Sequence, residues 1–308
     1  MKLTETVYFI NIDGTAPGSE RLDGKRLAVL ADHHDRDYEP VLDMLRNSAP
    51  DAIVIPGDIV LGYFPRDSEL IIDRCRNIMP LLEGCYDIAP TYMSIGNHEC
   101  LLCDSDFDML RQTGAIVLNN EWTELRFCDD MSGEKAVAEP ADRIYVGGFT
   151  SAHAISYKKF RDEYNRGKDI KGYERYPYRR RPKDIGSYPA DSMWLDDFER
   201  VDGYKILLCH HPEYWGLREP MLRDRKIDLV LSGHAHGGQW RFFGQGVFAP
   251  GQGLLPKYTG GVYHGQYGSL VISRGLSNPY SAVPRLGNPC ELVYVQFAAG
   301  GSDDRESL

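Results

Sequence analysis

The chain has 308 residues, with 35 lysines and arginines against 45 aspartates and glutamates, a formal net charge of −10. At 42 % hydrophobic and 26 % charged residues it has the composition of a globular protein with ample core, which excludes a disordered chain, a collagen-like repeat and a coiled coil. The acidic balance argues against a general nucleic-acid binder, and the longest apolar runs fall far short of the ~18–20 residues of a membrane-spanning helix.

In chain order, Arg26–Ala31 is a short apolar run, hence a buried strand, and it ends at Asp32. A helix from about Pro40 to Asn47 follows, with Val41, Leu42 and Leu45 on one face and proline in the first turn. Ala52–Ile55 is a strand running into Pro56-Gly57-Asp58, and a second helix is expected from about Ser68 to Leu82, bent near Pro80. Thr91–Ile95 is a strand ending in Gly-Asn-His-Glu; Asp106–Gln112 is a helix and Ala115–Leu118 a strand. In the second half, Tyr145-Val146 is a strand, Asp191–Arg200 a helix, Lys205–Cys209 a strand ending in His-His-Pro, and Asp228–Leu231 a strand ending in Ser-Gly-His-Ala-His-Gly-Gly. From Gly237 to Phe297 short β segments rich in glycine and aromatics suggest an antiparallel finish without helices.

Five polar motifs therefore sit just past the C-terminal ends of predicted strands, the rim where open α/β sheets bind ligands. Seven of the nine histidines fall in them. Asp32 and His34 are two residues apart, as are His234 and His236, a spacing that in an extended backbone turns both side chains to one side. Two carboxylates (Asp32, Asp58), an amide (Asn97) and four imidazoles (His34, His210, His234, His236) make a mixed oxygen and nitrogen donor set suited to Mn, Fe, Co or Zn. Seven donors exceed what one ion needs, so two divalent metal ions sharing a carboxylate is the natural assignment. Such a pair suits an anionic phosphate ester and lowers the pKa of a bridging water, giving a hydroxide for in-line attack at phosphorus.

The ordered set D-x-H (Asp32, His34), GD (Gly57, Asp58), GNHE (Gly96 to Glu99), H-x-P (His210, Pro212) and GHAH (Gly233 to His236) resembles the calcineurin-like metallophosphoesterase superfamily over about residues 26–297. The resemblance implies an α/β fold of two packed mixed β-sheets flanked by helices, a four-layer αββα sandwich, forming a single domain over 1–308 with an insertion at about 155–190. It implies that Asp32, His34 and His236 hold a first metal, that Asp58 bridges, and that Asn97, His210 and His234 hold a second. His98 would be catalytic, stabilising the transition state or protonating the leaving oxygen. The later GHAHGGQ, Tyr258-Thr-Gly-Gly and SRGLSNPYSAVPRLGNPCEL stretches resemble a bacterial, often membrane-associated branch acting on lipid or cell-envelope phosphate esters. Departures from that branch are peripheral: Ala31, His33, Cys290, and Phe149-Thr150-Ser151 where an acidic pair is usual.

Several residues read more plainly. His33 and His211 alternate with their neighbours and should not be ligands; His153 and His264 have no partner by spacing. Cysteines at 75, 85, 100, 103, 128, 209 and 290 are an odd, scattered set, which suits free thiols in a reducing, cytoplasmic compartment, and the first twenty residues lack the pattern of a secretory leader. Cys100 and Cys103 are expected to pack as free thiols under the rim. Residues 158–183 hold 11 basic and 4 acidic side chains, net +7, leaving −17 on the rest. With tyrosines at 157, 164, 173, 176 and 178, that segment is either a solvated loop or a flap steering anionic or lipid substrates. The favoured reading is a dinuclear phosphohydrolase acting on a mono- or diester, without nucleic-acid partners. The alternatives are an envelope-lipid or nucleotide-sugar pyrophosphatase at the membrane surface, a nuclease, which the −17 disfavours, and a non-catalytic scaffold, which would ordinarily lack a ligand.

Overall fold

The computed structural model describes residues 3–12, 14–61, 70–99, 102–130, 143–151, 192–278 and 283–300. Their elements are β1 (Thr4–Ile12), β2 (Arg26–Ala31), α1 (Glu39–Ser48), β3 (Ala52–Gly57), α2 (Ile78–Ile88), β4 (Thr91–Ser94), α3 (Asp104–Gln112), β5 (Ile116–Leu118) and β6 (Glu121–Glu124). These are followed by β7 (Ile144–Phe149), α4 (Trp194–Arg200), β8 (Tyr204–Cys209) and β9 (Leu229–Ser232). Two miniature ribbons come next, β10 (Arg241–Phe242) with β11 (Gln245–Gly246) and β12 (Phe248–Ala249) with β13 (Gly253–Leu254), before β14 (Gly261–His264), β15 (Ser269–Ile272) and β16 (Glu291–Ala299).

The long strands form two six-stranded mixed sheets, ordered β1-β16-β2-β3-β4-β5 and β14-β15-β9-β8-β7-β6. In the first, β2 to β5 run parallel and β16 opposes β2; in the second, β15, β9, β8 and β7 run parallel between antiparallel edges β14 and β6. Continuous apolar runs in the central strands reflect burial on both faces. Leu27 and Val29 of β2 and Ile206 and Leu208 of β8 meet between the sheets. The alternate residues Ala28 and Leu30 pack against Val41, Leu42, Leu45, Leu81, Leu82 and Phe107 of α1 to α3. Leu207 and Cys209 pack against Leu195 and Phe198 of α4. The result is an αββα sandwich. Among the described residues no helix is long and apolar enough to cross a membrane.

Elements that differ from the sequence expectation include the edge strand β6, which was not anticipated, and three others. The second helix starts at Ile78, not Ser68, and runs to Ile88; Ile72–Arg74 form only a 3₁₀ turn, and Ser68 lies outside the described residues. Pro80 is the third helical residue, where the amide it lacks would have no partner within the helix, so it marks the beginning and does not bend the axis. β1, not anticipated, alternates inward Thr6, Tyr8 and Ile10 with outward Glu5, Val7 and Phe9 and pairs in parallel with β16. The C-terminal third is only partly antiparallel, because β15 joins β9 in parallel while β16 crosses to the other sheet, opposed to β2 and parallel to β1.

Leu208 is fully buried between the sheets. Leu208→Ala should cost about 2–5 kcal/mol, measured by urea unfolding; a loss below about 1 kcal/mol would contradict this packing.

Candidate metal centre

The parallel strands deliver their polar motifs to one rim. Asp32 follows β2, Asp58 follows β3, Asn97 and His98 lie shortly after β4, His210 follows β8 and His234 and His236 follow β9. The backbone there is not extended, as the two-residue spacing had suggested. Asp32, His34, Asp58, His234 and His236 have φ of 57°, 53°, 59°, 67° and 47°. Such left-handed residues cost about 1–3 kcal/mol each and persist only where surroundings over-determine them. The pairs converge through tight turns, not through strand alternation. Gly57 (φ 136°) allows close passage of the neighbouring loop, since a Cβ there would strike the Gly96 backbone.

Three overlapping groups of ligand atoms result, each within 4.8 Å: Asp32, His34 and His236; His34, Asp58 and His98; and Asp58, His210 and His234. The His210 Nε2 lies 3.0 Å from Asp58 Oδ2 and 3.8 Å from Asp32 Oδ1, tying the two carboxylates into one cluster. Asp32 Oδ1 is also 3.8 Å from His34 Nε2 and 3.6 Å from His236 Nε2. His34 Nδ1 is held at 3.1 Å by the Val60 carbonyl, which fixes it as the protonated nitrogen and leaves Nε2 as a lone-pair donor. His34 Nε2, Asn97 Oδ1 and His234 Nε2 are buried and make no hydrogen bond. Buried acceptors without partners are costly. Divalent cations seated in these groups would satisfy them, so the donor set fits divalent metal. His98 is the most open of the group, its side chain 25 % exposed, with Nε2 3.7 Å from Asp58 Oδ2.

Charge within the cluster is uneven. Burial, reinforced by neighbouring imidazoles, holds His34, His234 and His236 well below the usual histidine value, so they are neutral and available as ligands at neutral pH. Burial opposes the charged forms of Asp58 and His210, but their contact wins: Asp58 is held well below the usual carboxylate range and His210 is pushed up to about 9. Burial and the nearby Asp58 charge push Asp32 up to about 7, against the pull of His210.

Supporting groups went unassigned in the sequence. Glu99, fully buried, accepts the backbone N–H groups of Asp58 and Gly96 at 2.8 Å and of Val60 at 3.1 Å, clamping the β3 and β4 loops together. Asp58 Oδ1 accepts the His98 N–H at 2.9 Å. Arg285 lies 3.0 Å from His236 Nδ1, Asn288 donates to the His236 carbonyl at 2.7 Å, and the Ser277 hydroxyl donates to the Asp32 carbonyl at 2.9 Å. The glutamate was visible within GNHE; the other three come from a loop far along the chain with no spacing signal.

The remaining expectations divide. His33 is buried outside the three groups. His211 is also outside them, but packs its ring 4.0 Å from that of His234 and meets Ser151 Oγ at 2.7 Å, so the Thr150-Ser151 segment buttresses the rim. His264 pairs with Ser269 across the β14–β15 hairpin. Cys103 is a buried free thiol capping α3. Cys100, His153 and the basic segment 158–183 lie outside the described residues.

The profile of the calcineurin-like phosphoesterase family matches residues 25–238. The chain belongs to this family. Membership of that family implies a site for two divalent metals, which the three ligand groups fit. Among curated proteins it is 39 % identical over 67 residues to the uncharacterized protein YpbG of Bacillus subtilis (strain 168), covering 22 % of this chain and 25 % of that one. It is 24 % identical over 234 residues to a transmembrane protein with metallophosphoesterase domain of Danio rerio, covering 71 % of this chain and 42 % of that one. The chain thus spans less than half the length of either relative. Solved structures similar to it include the sulfate thiohydrolase SoxB of Thermus thermophilus (TM-score 0.42, 12 % identity, 82 % of this chain and 52 % of that one). Another is a dimetal phosphatase of Danio rerio (TM-score 0.42, 11 % identity, 84 % of this chain and 90 % of that one).

A pH dependence follows from the cluster. His210, raised from 6.5 to about 9, binds its proton more tightly in the folded chain, so the metal-free protein should lose stability as pH rises through that window. Asp32 and Glu99, both raised to about 7, act in the same direction below pH 7, while the three depressed histidines act oppositely only below about pH 6.5. Thermal melts of metal-free protein should therefore fall from pH 6.5 to 9, and added Mn or Zn should flatten or reverse the slope by replacing the His210 proton. A metal-free melting point that rises over this range would contradict the cluster's charge balance.

Proposed function

We propose that the rim cluster holds two divalent cations, drawn from Mn, Fe, Zn or Co, and that the enzyme hydrolyses a phosphate mono- or diester. The observation that carries this reading is the sharing of Asp58 between two ligand groups, alongside a third group at Asp32, with partnerless buried acceptors among them. Asp32, His34 and His236 would hold one cation, Asn97, His210 and His234 the other, and Asp58 both. When bound, the cations supply positive charge for the phosphate oxygens and make water acidic enough to attack phosphorus near neutral pH.

The chain's own residues then have defined tasks. The depressed imidazoles offer lone pairs without proton competition. Glu99 fixes the turn that aims Asp58, and the carboxylate of Asp58 in turn orients the His98 backbone. His98, partly open at the rim, is placed to donate a hydrogen bond to the phosphoryl oxygen or a proton to the leaving oxygen. Because both sheets contribute donors to this one site, residues 1–308 are proposed as one domain, with about 155–190 an insertion.

Asp58→Ala and His234→Ala should each remove bound metal and activity together. His98→Ala should retain metal yet lower kcat by about 10²–10⁴-fold, with turnover measured on phosphomonoester, phosphodiester and nucleotide-sugar pyrophosphate substrates. Full activity of His98→Ala would remove its catalytic role. Preference for the pyrophosphate would move the enzyme to the pyrophosphatase reading, and failure on every substrate with metal bound would overturn the hydrolytic one.

A further inference from the structure

The two miniature ribbons branch directly from the turn bearing His234 and His236, and their apolar side chains face solvent. Phe243 is 108 % exposed, Leu254 77 %, Leu255 74 %, Phe242 and Phe248 50 % each and Trp240 42 %. Six of the fifteen exposed large apolar residues on the described surface thus fall within residues 240–255, whereas single exposed apolar residues scattered over a surface would be unremarkable. Phe243 and Leu255 occupy left-handed turn positions, φ 51° each, where glycine or asparagine is the favoured choice. Large apolar side chains crown these turns despite a backbone cost.

The ribbons are tied to the site and to each other. The Val247 N–H donates to the carbonyls of Gly238 (3.1 Å) and Trp240 (2.8 Å), and the Leu255 N–H donates to Val247 (2.9 Å). Arg241 donates to the Gly237 carbonyl at 3.0 Å, one residue beyond His236. Leu286, 55 % exposed, pairs with Trp240 and extends the apolar surface.

Charge supplies a second, independent observation. Residues 229–290 contain no aspartate or glutamate, although the chain has 45, and they carry four lysines and arginines (Arg241, Lys257, Arg274, Arg285). This 62-residue stretch is net +4 in a chain of net −10. Of the four, Lys257 is exposed beside Leu254-Leu255 and Arg241 is half-buried in the first ribbon, whereas Arg274 pairs with Glu291 and Arg285 is buried behind His236; no acidic side chain of the stretch opposes an anionic surface.

We propose that the ribbon tips, Phe242-Phe243 and Leu254-Leu255, insert into the interface of a bilayer containing anionic phospholipid and so hold the metal rim at the lipid surface. Aromatic and aliphatic side chains at the tips of short turns bury in the headgroup–acyl boundary without needing a complementary groove, and basic neighbours add attraction to anionic headgroups. The proposal does not depend on the hydrolytic reading, since binding and turnover are measured separately.

The test is co-sedimentation of the full chain with vesicles of mixed phosphatidylglycerol and phosphatidylcholine, compared with phosphatidylcholine alone. The double variant Phe243→Asn, Leu255→Asn keeps residues that tolerate the left-handed turn. Wild type should sediment with the mixed vesicles and more weakly with the neutral ones. The double variant should bind at least about tenfold more weakly, while turning over a soluble phosphodiester at the wild-type rate. Failure of wild type to bind, or undiminished binding by the variant, would overturn the proposal. So would wild-type self-association that the variant abolishes, because that result assigns the patch to a second copy of the chain.

Discussion

Two carboxylates buried beside the same imidazole set the terms for the rest of the molecule. Asp32 and Asp58 are 0 % and 1 % exposed, and both approach His210 Nε2. Like charges in so dry a place repel by several kcal/mol even at the effective dielectric typical of proteins, and the protein answers by sharing protons: Asp32 rises to about 7 and His210 to about 9. Cations held there would relieve that frustration directly. The turns that aim the donors carry left-handed φ at five positions, and at one of them, Asp58, a buried glutamate ties the amide to those of Val60 and Gly96. Such preorganisation keeps the donors together before loading.

The sandwich exists, in functional terms, to bring parallel strand ends from both sheets to one edge. β2 and β3 present Asp32 and Asp58; β8 and β9 present His210, His234 and His236 from the facing sheet. The alternating burial of Leu27 and Val29 against Ile206 and Leu208 fixes the sheets face to face. β16 closes the arrangement from the far end of the sequence, and the loop before it returns Ser277, Arg285 and Asn288 to the backs of Asp32 and His236. The same C-terminal third that buttresses the site also projects the apolar ribbons.

Much of this was legible because the chemistry and the strand pattern coincide. Continuous apolar runs ending in Asp, His or Asn mark parallel strands whose tips carry function, and five such endings in order are a pattern that chance seldom makes. Local reasoning failed where tertiary context decides. The spacing Asp32-x-His34 suggests extended alternation, yet the convergence comes from left-handed turns held by the facing loop, Asp32 and His34 donating their N–H groups to the Gly57 and Asp58 carbonyls. Pro80 suggests a bend because hydrophobic residues precede it, whereas a helix starting at Ile78 places the missing amide where no intrahelical partner exists. β1 carries two of its five apolar groups outward, Val7 and Phe9, the latter at 68 % exposure, and only its partner β16 identifies it as a strand. Arg285 and Asn288 escaped because a loop residue that supports a ligand from 49 or 52 positions away leaves no periodicity to detect.

The central claim is that this cluster is a two-cation site built around a shared Asp58. Equilibrium dialysis of the purified chain against Mn or Zn, with bound metal counted by atomic emission, tests it most directly. The account predicts two ions per chain for the wild type and loss of one for His34→Ala, with the second retained by Asn97, His210 and His234. A wild-type stoichiometry of one or none, or two ions undisturbed by removal of His34, would contradict it.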